Sequence, residues 1–280
     1  MKRILITGAN SYIGTSFEKY IYENYPDEYQ IDTLDMMDPN WKEYDFNGYD
    51  SIFHVAGIAH QKETRGNRDL YYKVNRDLAI EVALKAKNAK VNQFILMSSM
   101  SVYGLTQGYI TKDSKACPNN AYGKSKLQAD EMIYKMNSEN FHVVILRPPM
   151  IYGSGCKGNY QILRNFVLKF HIFPGIKNQR SMIYVDNLSY FVKKIIDNNF
   201  NGIFFPQNKE YVSTDEIVYL IAKNNNIPLI IINIFNFFIK NISIKIFQKV
   251  FGNLIYEKVD LVEKYDFVES IKLTETKMKI

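Results

Sequence analysis

Cysteine is scarce in this chain, which has only two in 280 residues, Cys117 and Cys156. They form no Cys-x-x-Cys pair, and neither combines with the four histidines into a cluster with metal-ligand spacing. The sequence therefore predicts no metal site and no disulfide framework. Few cysteines are typical of proteins in a reducing compartment, and we expect the protein to be cytoplasmic.

Long apolar runs are also lacking. The N-terminal run, Ile4–Ile6, is too short for a signal peptide, and no segment reaches the roughly 18 uncharged apolar residues of a membrane span. The most apolar stretch, Ile227–Lys240, predicts a buried strand followed by an amphipathic helix. A membrane-facing patch is the alternative, and Lys240, Lys245 and Lys249 would suit one.

The charged residues form no Lys/Arg run of the kind that binds nucleic acid. The formal net charge is +6, with 46% hydrophobic and 23% charged residues, values that are ordinary for a soluble globular protein. We therefore expect no nucleic-acid partner. A slightly basic surface would favour an anionic small ligand such as a nucleotide.

Short apolar runs alternate with segments of helical spacing in the first half of the chain. Helical spacing covers 75–89 and 122–136, and the apolar runs are 3–7, 30–34, 51–55, 93–97 and 142–146. This alternation predicts an α/β fold with a doubly wound parallel sheet, covered by helices on both faces.

The pattern becomes less regular after Tyr152, where we expect a smaller C-terminal α/β lobe. A Gly-rich loop at 154–159 precedes a helix at 161–169, and Ser213 to Glu216 form a capping box that opens another helix. Short strands are expected at 182–185 and 202–205. The predicted division gives a dinucleotide-binding domain, 1–153 plus about 181–206, and a substrate lobe, about 154–180 and 207–280.

The turn after the first strand, Thr7–Gly14, has the composition of a phosphate-binding loop. Glycine allows a close backbone approach to a pyrophosphate, and the helix N-terminus that follows offers N–H groups and a partial positive charge. Ser11 replaces the middle glycine of the usual pattern. Any tight strand–helix turn also favours glycine, but the position at the first βα turn favours a dinucleotide site. The candidate cofactor contacts in this turn are Gly8, Asn10, Ser11, Tyr12, Ile13 and Gly14.

An acidic residue about 20 positions after this loop bears on the choice of cofactor. Asp35, at the end of the second strand, would bind ribose hydroxyls and repel a 2′-phosphate, which favours NAD over NADP. Asp32 and Asp38 lie nearby, and an ordinary acid at the end of a strand is the alternative. Asp45 and Phe46 are candidates to flank the adenine, and a surface turn explains that pair equally well.

Tyr122 and Lys126 lie four residues apart, on one face of the predicted helix. Lowering the tyrosine pKa from about 10 to near 7 requires roughly 4 kcal/mol of differential stabilisation, which we expect from the ammonium and an oxidised nicotinamide together. Ser99 follows the strand ending at Met97, where ligands bind in open α/β sheets. The three side chains form an acid–base group able to exchange a proton with a sugar hydroxyl during hydride transfer.

These motifs occur in an order that resembles one enzyme family. The set comprises Thr7–Gly14, His54–Gly57, Asn75, Ser98–Gly104, Tyr122–Lys126 and Arg147–Gly153. Over roughly the first two-thirds of the chain it resembles the extended short-chain dehydrogenase/reductases that modify nucleotide sugars. The resemblance implies a Rossmann-like sheet, NAD(H) or NADP(H) as cofactor, a UDP-sugar substrate and a homodimer formed through a four-helix contact.

The resemblance also implies roles for individual residues. Ser99, Tyr122 and Lys126 match the catalytic trio of the family. Further cofactor contacts are implied at Val55, Ala56, Gly57, Asn75, Tyr122, Lys126 and Pro148. Substrate contacts are implied at Ser99, Ser101, Asn159, Arg180 and His60, with Asn159 and Arg180 on the nucleotide diphosphate. The alternatives are a lone exposed arginine at 180 and an ordinary loop histidine at 60. The family also has a second diphosphate-binding arginine near its C-terminus, and we identify no residue of this chain that matches it.

The residues after Ser99 bear on the type of reaction. The sugar dehydratases of this family carry Asp-Glu there, whereas this chain has Met100-Ser101, which argues against dehydration. We expect a reductase of a UDP-4-keto-6-deoxy-N-acetylhexosamine in surface polysaccharide synthesis. A UDP-glucose or UDP-N-acetylglucosamine 4-epimerase is the alternative. A non-enzymatic regulator that senses the cofactor is more remote, because such relatives tend to lose the tyrosine or the lysine.

Overall fold

The computed structural model describes residues 1–59, 61, 63–232, 252–258 and 263–279. The strands of these ranges are β1 Lys2–Thr7, β2 Tyr29–Leu34, β3 Ser51–His54, β4 Gln93–Met97, β5 Gly108–Ile110, β6 His142–Leu146, β7 Met150–Tyr152, β8 Ile172–Pro174, β9 Met182–Tyr184, β10 Gly202–Phe204, β11 Ile230–Ile232 and β12 Leu254–Tyr256.

The α-helices of the same ranges are α1 Tyr12–Asn24, α2 Arg68–Tyr72, α3 Ala79–Asn88, α4 Ala121–Tyr134, α5 Asn159–Lys169, α6 Val185–Asp197, α7 Thr214–Asn224 and α8 Phe267–Lys277. Two short 3₁₀ helices lie at Pro39–Glu43 and Met100–Tyr103. The helix expected from Asn75 begins earlier, at Arg68, and passes through a π-helical stretch, Lys73–Leu78. Among the described helices, none combines the length and apolar character needed to cross a bilayer.

The chain divides into two compact units. The first contains residues 1–104, 115–148 and 188–206, and the second contains residues 105–114, 149–187 and 207–280. The first unit carries a six-stranded parallel sheet in the order β10-β6-β4-β3-β1-β2, which confirms the expected α/β fold.

The central strands of the first unit are almost completely buried. Strands β3, β4 and almost all of β6 are buried, as continuous apolar runs in a sheet covered on both faces should be. One core cluster joins Leu5, Ile52, Phe94 and Val143 of the sheet to Ala83 of α3. The chain runs from β1 to β2 on one side and returns to β3 on the other side of β1. In open α/β sheets, ligands bind outside the carboxyl ends of the strands at such a reversal of strand order.

The second unit is built from pairs of short parallel strands, β7 with β9, β8 with β11 and β5 with β12. The predicted capping box of Ser213 and Glu216 opens α7 as expected. The glutamate of α8, Glu275, is fully buried and accepts hydrogen bonds from Tyr160 and Arg164 of α5, which ties α8 to α5. In the apolar stretch Ile227–Lys240, Ile230–Ile232 form a strand as expected, but the predicted burial is wrong, because the side chains are exposed or half-buried at β11, which pairs in the described residues with the short strand β8 alone. Residues 233–240 lie outside the described residues.

Candidate active site

The turn after β1 is shaped by close contact with the loop after β3. Gly8 has a φ of +121°, and a Cβ atom there would lie 2.6 Å from the backbone nitrogen of Ala56. Ser11 is the N-cap of α1 and accepts a hydrogen bond from the Gly14 N–H, so the serine in place of glycine has a structural use. A Cβ atom at Gly14 would lie 2.7 Å from the Ser11 Oγ. The turn therefore fits the backbone cradle that a pyrophosphate requires, at the N-terminus of a helix.

The other residues of this turn follow the same path. Asn10 has a φ of +63°, a conformation that asparagine tolerates better than most residues, and Tyr12 and Ile13 begin α1. Val55 and Ala56 hydrogen-bond through their N–H groups to the Thr7 carbonyl oxygen, which holds the two loops together.

Asp35 and Asp45, the acidic residues expected near the adenosine end of the cofactor, lie at the surface. Asp35 follows β2 directly, and its carboxylate accepts the Met37 N–H at 2.9 Å. Asp45 accepts the Asn47 N–H at 2.9 Å, so it belongs to a surface turn. Phe46 is almost fully buried in the core of the first unit.

The buried amide of Asn75 organises the loop after β3. Its Oδ1 accepts the Ile58 N–H at 2.7 Å, and its Nδ2 donates to the Ile58 carbonyl and to the Ser125 hydroxyl. A Cβ atom at Gly57 would lie 2.9 Å from the Asn75 Oδ1 and 3.2 Å from the Lys126 Nζ. Glycine at 57 thus allows the loop to lie directly against Asn75 and Lys126.

The Ser99 loop is held in register with the end of β6. Ser99 caps the 3₁₀ helix Met100–Tyr103 by accepting the Ser101 N–H at 3.1 Å. The Met100 N–H donates to the Pro148 carbonyl oxygen at 2.9 Å. Helix α4 lies close to this loop, because a Cβ atom at Gly123 would be 2.5 Å from the Ser101 carbonyl oxygen. Ser99, Ser101 and Pro148 are therefore part of one rigid corner.

Helix α4 brings Tyr122 to Ser99. Asn120 caps the helix by accepting the Gly123 N–H at 2.8 Å, and a hydrogen bond joins the side chains of Ser99 and Tyr122. The Tyr71 ring packs edge-on against the Tyr122 ring, with centroids 6.3 Å apart. Of the expected trio, serine and tyrosine are in direct contact.

Lys126 is buried, and its Nζ donates to the Met97 carbonyl oxygen at 2.8 Å, at the end of β4. Burial lowers the pKa of Lys126 to about 8, and the charge of Asp130 raises it in part. Burial raises the pKa of Tyr122, the hydrogen bond with Ser99 lowers it in part, and the negative charge of Asp130 raises it further. The expected acidification of the phenol by the ammonium is therefore absent from the protein by itself. The physical reason is that desolvation of the phenolate outweighs the favourable contacts.

A buried acid that sequence reasoning missed lies one helical turn beyond Lys126. The Asp130 Oδ2 accepts hydrogen bonds from the Ser98 hydroxyl and from the Arg147 Nε, both at 2.9 Å. Arg147 also donates to the Tyr103 hydroxyl at 3.0 Å. This network ties α4 to the ends of β4 and β6. An acid four residues after the lysine, on the same helix face, was the sequence feature that could have revealed it.

His54 is a second buried polar residue behind the site. Its Nδ1 shares a 2.8 Å hydrogen bond with the Thr7 hydroxyl, and its ring stacks on Phe94. Burial lowers the pKa of His54 to about 3, so the ring is neutral at physiological pH. It joins the ends of β1 and β3 without adding charge to the site.

Two of the expected substrate contacts, Asn159 and Arg180, lie in the second unit. Asn159 is the first residue of α5 and follows Gly158, whose φ is +99°. The Arg180 guanidinium is buried and donates to the Gly252 carbonyl oxygen at 3.0 Å. Within the described ranges no salt bridge involves Arg180, and burial lowers its pKa. A buried cation without a carboxylate partner suits an anionic ligand. His60 lies outside the described residues.

Metal ligands do not come together in the part of the chain that the structure describes: there, no three histidine, cysteine, aspartate or glutamate side chains form a cluster.

This chain is similar to known proteins of one family. The model of the family described as "NAD dependent epimerase/dehydratase family" matches residues 4–204. A UDP-glucose 4-epimerase of Vibrio cholerae is 26% identical over 99% of this chain and 89% of its own length. An N-acetyl-alpha-D-glucosaminyl-diphospho-ditrans,octacis-undecaprenol 4-epimerase of Escherichia coli O157:H7 is 29% identical over 70% of this chain and 63% of its own length.

Two solved structures show how widely the fold is shared. The UDP-Glc/GlcNAc 4-epimerase of Campylobacter jejuni has a TM-score of 0.75 at 19% identity, covering 100% of this chain and 99% of its own. A dTDP-4-dehydrorhamnose reductase of Bacillus anthracis, in complex with NADP, has a TM-score of 0.74 at 19% identity, covering 98% of this chain and 99% of its own. At these identities the likeness establishes the fold alone.

Proposed function

The chain belongs to the NAD dependent epimerase/dehydratase family, and we propose that within it the protein is a 4-epimerase of a UDP-sugar. It is a nucleotide-sugar enzyme with a Rossmann-type sheet that uses a nicotinamide cofactor. The finer assignment, epimerisation rather than net reduction, is the proposal.

The cofactor fits the crevice between the loops after β1 and β3. The pyrophosphate would lie on the turn from Gly8 to Gly14, and the Asp35 carboxylate would receive the ribose hydroxyls, which favours NAD. Bound NAD⁺ supplies the hydride acceptor and a positive charge near the phenol. Asn75 and Gly57 keep the loop after β3 in place, and the Lys126 ammonium of α4 is held by the Met97 carbonyl oxygen at the end of β4.

Tyr122 exchanges the proton of the C4 hydroxyl in this proposal. As the hydroxyl is oxidised, its proton passes to the Tyr122 oxygen, while Ser99 hydrogen-bonds both oxygens and fixes their distance. The same tyrosine returns the proton when the keto sugar is reduced on its opposite face. Because the phenol is protonated in the protein alone, the basic form depends on the positive charge of the oxidised cofactor together with Lys126.

The observation that favours epimerisation over reduction is the similarity to a UDP-glucose 4-epimerase, which is 26% identical over 99% of this chain. Reduction of a UDP-4-keto-6-deoxy-N-acetylhexosamine uses the same trio and is the alternative. The two differ in cofactor use, since epimerisation regenerates the cofactor in each turnover whereas reduction consumes it.

Two groups of the second unit support a diphosphate-bearing substrate. The buried Arg180 guanidinium, without a carboxylate partner in the described ranges, suits a bidentate contact with phosphate oxygens. Asn159, at the start of α5, would contact the same diphosphate. Both features apply equally to any sugar diphosphate ester.

A second candidate substrate is a sugar diphosphate carried by a polyprenol. The relative from Escherichia coli is named for such a substrate. In this chain the candidate is favoured by exposed apolar side chains on α5 and β8, such as Ile162 and Ile172.

Product analysis separates these possibilities. The purified protein is incubated with UDP-glucose, UDP-N-acetylglucosamine and a polyprenyl-diphospho-N-acetylglucosamine, each with catalytic NAD⁺, and the C4 epimers are resolved by chromatography. In parallel, UDP-4-keto-6-deoxy-N-acetylglucosamine is added with NADH or NADPH, and absorbance at 340 nm is followed. Epimers without net cofactor change support the proposal. Stoichiometric oxidation of NAD(P)H supports the reductase. If neither result is observed, both functions are excluded.

A homodimer is part of the proposal. The helices of the first unit leave several apolar side chains exposed, namely Leu70, Leu84, Met132 and Tyr134. Pairing of α2, α3 and α4 between two copies would cover them. Light scattering at micromolar concentration tests this, and a monomeric mass would exclude it.

A further inference from the structure

An apolar stripe lies on the surface of the second unit. Ile162 and Phe166 of α5 and Phe170, just beyond its end, are 65%, 38% and 48% exposed. They are spaced four residues apart, so they share one face of the helix. The rings of Phe166 and Phe170 are in contact, with centroids 4.9 Å apart. Three large exposed side chains in a row are more than the isolated surface hydrophobics that most proteins carry.

The stripe continues onto the sheet of β8 and β11. Ile172, the first residue of β8, lies two residues beyond Phe170. Ile172 and Ile230 are partners in the parallel register and are 53% and 61% exposed. We call the five residues Ile162, Phe166, Phe170, Ile172 and Ile230 the α5–β8 surface.

The charge of the segments that build this surface has one sign. Residues 140–185 contain no aspartate or glutamate and six Lys/Arg, and residues 217–232 contain no acid and one lysine. All 29 acidic residues of the chain lie outside these two segments. Among the described residues, Lys157, Lys169, Lys177 and Lys223 are exposed, whereas Arg164 is neutralised by the buried Glu275.

We propose that the α5–β8 surface docks the protein on an anionic lipid bilayer as a peripheral contact. Isoleucine and phenylalanine side chains would enter the headgroup–acyl boundary, and the lysines around them would meet lipid phosphates. The positive charge of the exposed lysines favours an anionic bilayer over the other possible partners. A second copy docked through the same surface would place lysine against lysine, and the apolar side chains would gain nothing from nucleic acid. The contact does not depend on the proposed reaction at C4.

Vesicle co-sedimentation tests the proposal with the full-length protein. The probes are phosphatidylcholine vesicles with and without about 30% phosphatidylglycerol. The anionic vesicles should bind the protein at least about tenfold more tightly, and about 0.5 M NaCl should remove most of the difference, because salt screens the lysine–lipid attraction. Failure to bind the anionic vesicles would overturn the proposal.

Two variants test the surface itself. Ile162→Ser with Phe170→Ser, and separately Lys169→Glu with Lys177→Glu, should each weaken vesicle binding about tenfold. Val268→Ser on α8, which removes an equally exposed apolar side chain outside the surface, is the matched control and should bind as the parent does. The Lys→Glu variant keeps every apolar residue of the surface in place, so it remains informative if the serine variant folds poorly. Equal binding by all variants would contradict the assignment.

Two further measurements test whether a second copy of the chain, or another part of the same chain, covers the α5–β8 surface instead of a bilayer. If sedimentation velocity shows a larger species that only Ile162→Ser with Phe170→Ser dissociates, the surface pairs two copies and the proposal fails. If only a chain lacking residues 233–251 binds vesicles, the chain covers its own surface and the proposal also fails. Tyr122→Phe should bind vesicles as the parent does, so loss of the proposed C4 activity and loss of lipid binding are distinguishable.

Discussion

The Asp130 carboxylate lies 2.9 Å from the Arg147 Nε, and both side chains are buried. This pair joins α4, which carries Tyr122 and Lys126, to the end of β6, beside the Ser99 loop. A buried ion pair of this kind does not by itself imply a gain in stability, but removal of one partner leaves the other charged, buried and unpaired.

Asp130→Ala should therefore lower the free energy of unfolding by about 3–5 kcal/mol. Urea denaturation at pH 7 measures the change. The control is Glu81→Ala, which breaks the exposed pair with Lys42 and should cost no more than about 1 kcal/mol. If the free energy of unfolding falls by a similar amount in the two variants, Arg147 remains stably buried without Asp130.

The buried Lys126 should make stability depend on pH in the alkaline range. Its folded pKa is about 8, below the ordinary value of 10.5, so between these values the unfolded chain binds a proton that the folded chain has lost. The free energy of unfolding therefore rises by about 3 kcal/mol as the pH increases from about 8 to 10.5, and the Lys126 contribution changes little below pH 8.

Unfolding free energies of the parent and of Lys126→Met, measured at pH 7.5, 9 and 10.5, test this expectation. The advantage of the methionine variant should be largest at pH 7.5 and should shrink toward pH 10.5. A difference that does not change with pH would mean that the folded ammonium titrates normally.

Tyr122→Phe should reduce turnover by about 10²- to 10⁴-fold, the range typical for loss of a general acid–base group, while NAD⁺ affinity changes little. Steady-state rates and cofactor titration by fluorescence measure the two effects. Tyr71→Phe is the matched control, because the Tyr71 ring packs on Tyr122 but its hydroxyl donates to the Gln61 carbonyl oxygen. Undiminished turnover in Tyr122→Phe would remove the tyrosine from the reaction.

Gly57→Ala should lower activity by about 10²-fold, because the new methyl group would displace Asn75 or Lys126 from its position. Gly66→Ala is the control, since a Cβ atom at Gly66 meets no atom within 4 Å. Activity is compared at saturating cofactor, and thermal melting establishes that both variants are folded. Equal activity in the two variants would show that the loop after β3 adapts without consequence.

Asp35→Asn should raise the affinity for NADP⁺ relative to NAD⁺ by about tenfold, because the carboxylate that repels a 2′-phosphate is neutralised. The control is Asp27→Asn, which removes an exposed acid at the opposite end of β2. Isothermal titration with both cofactors gives the two ratios. An unchanged ratio in Asp35→Asn would remove this residue from cofactor selection.

Much of the fold was predictable from local pattern. The runs 93–97 and 142–146 coincide with β4 and β6, and the capping box at Ser213 opens α7, because strand periodicity and capping act over a few residues. The pairing of Gly108–Ile110 with Leu254–Tyr256, which brings residues 105–114 into the second unit, joins segments far apart in the sequence, and no local pattern encodes it.

The sequence by itself determined which groups can perform the chemistry: a serine after β4, and a tyrosine and a lysine four residues apart on α4. Only the tertiary structure decided their state. Burial raises the pKa of Tyr122 and lowers that of Lys126, and the fold brings the Asp130 carboxylate to the Arg147 guanidinium. Spacing along a helix fixes which side chains share a face, whereas the free energy of a charge depends on the solvent and the partners that the rest of the chain removes or supplies.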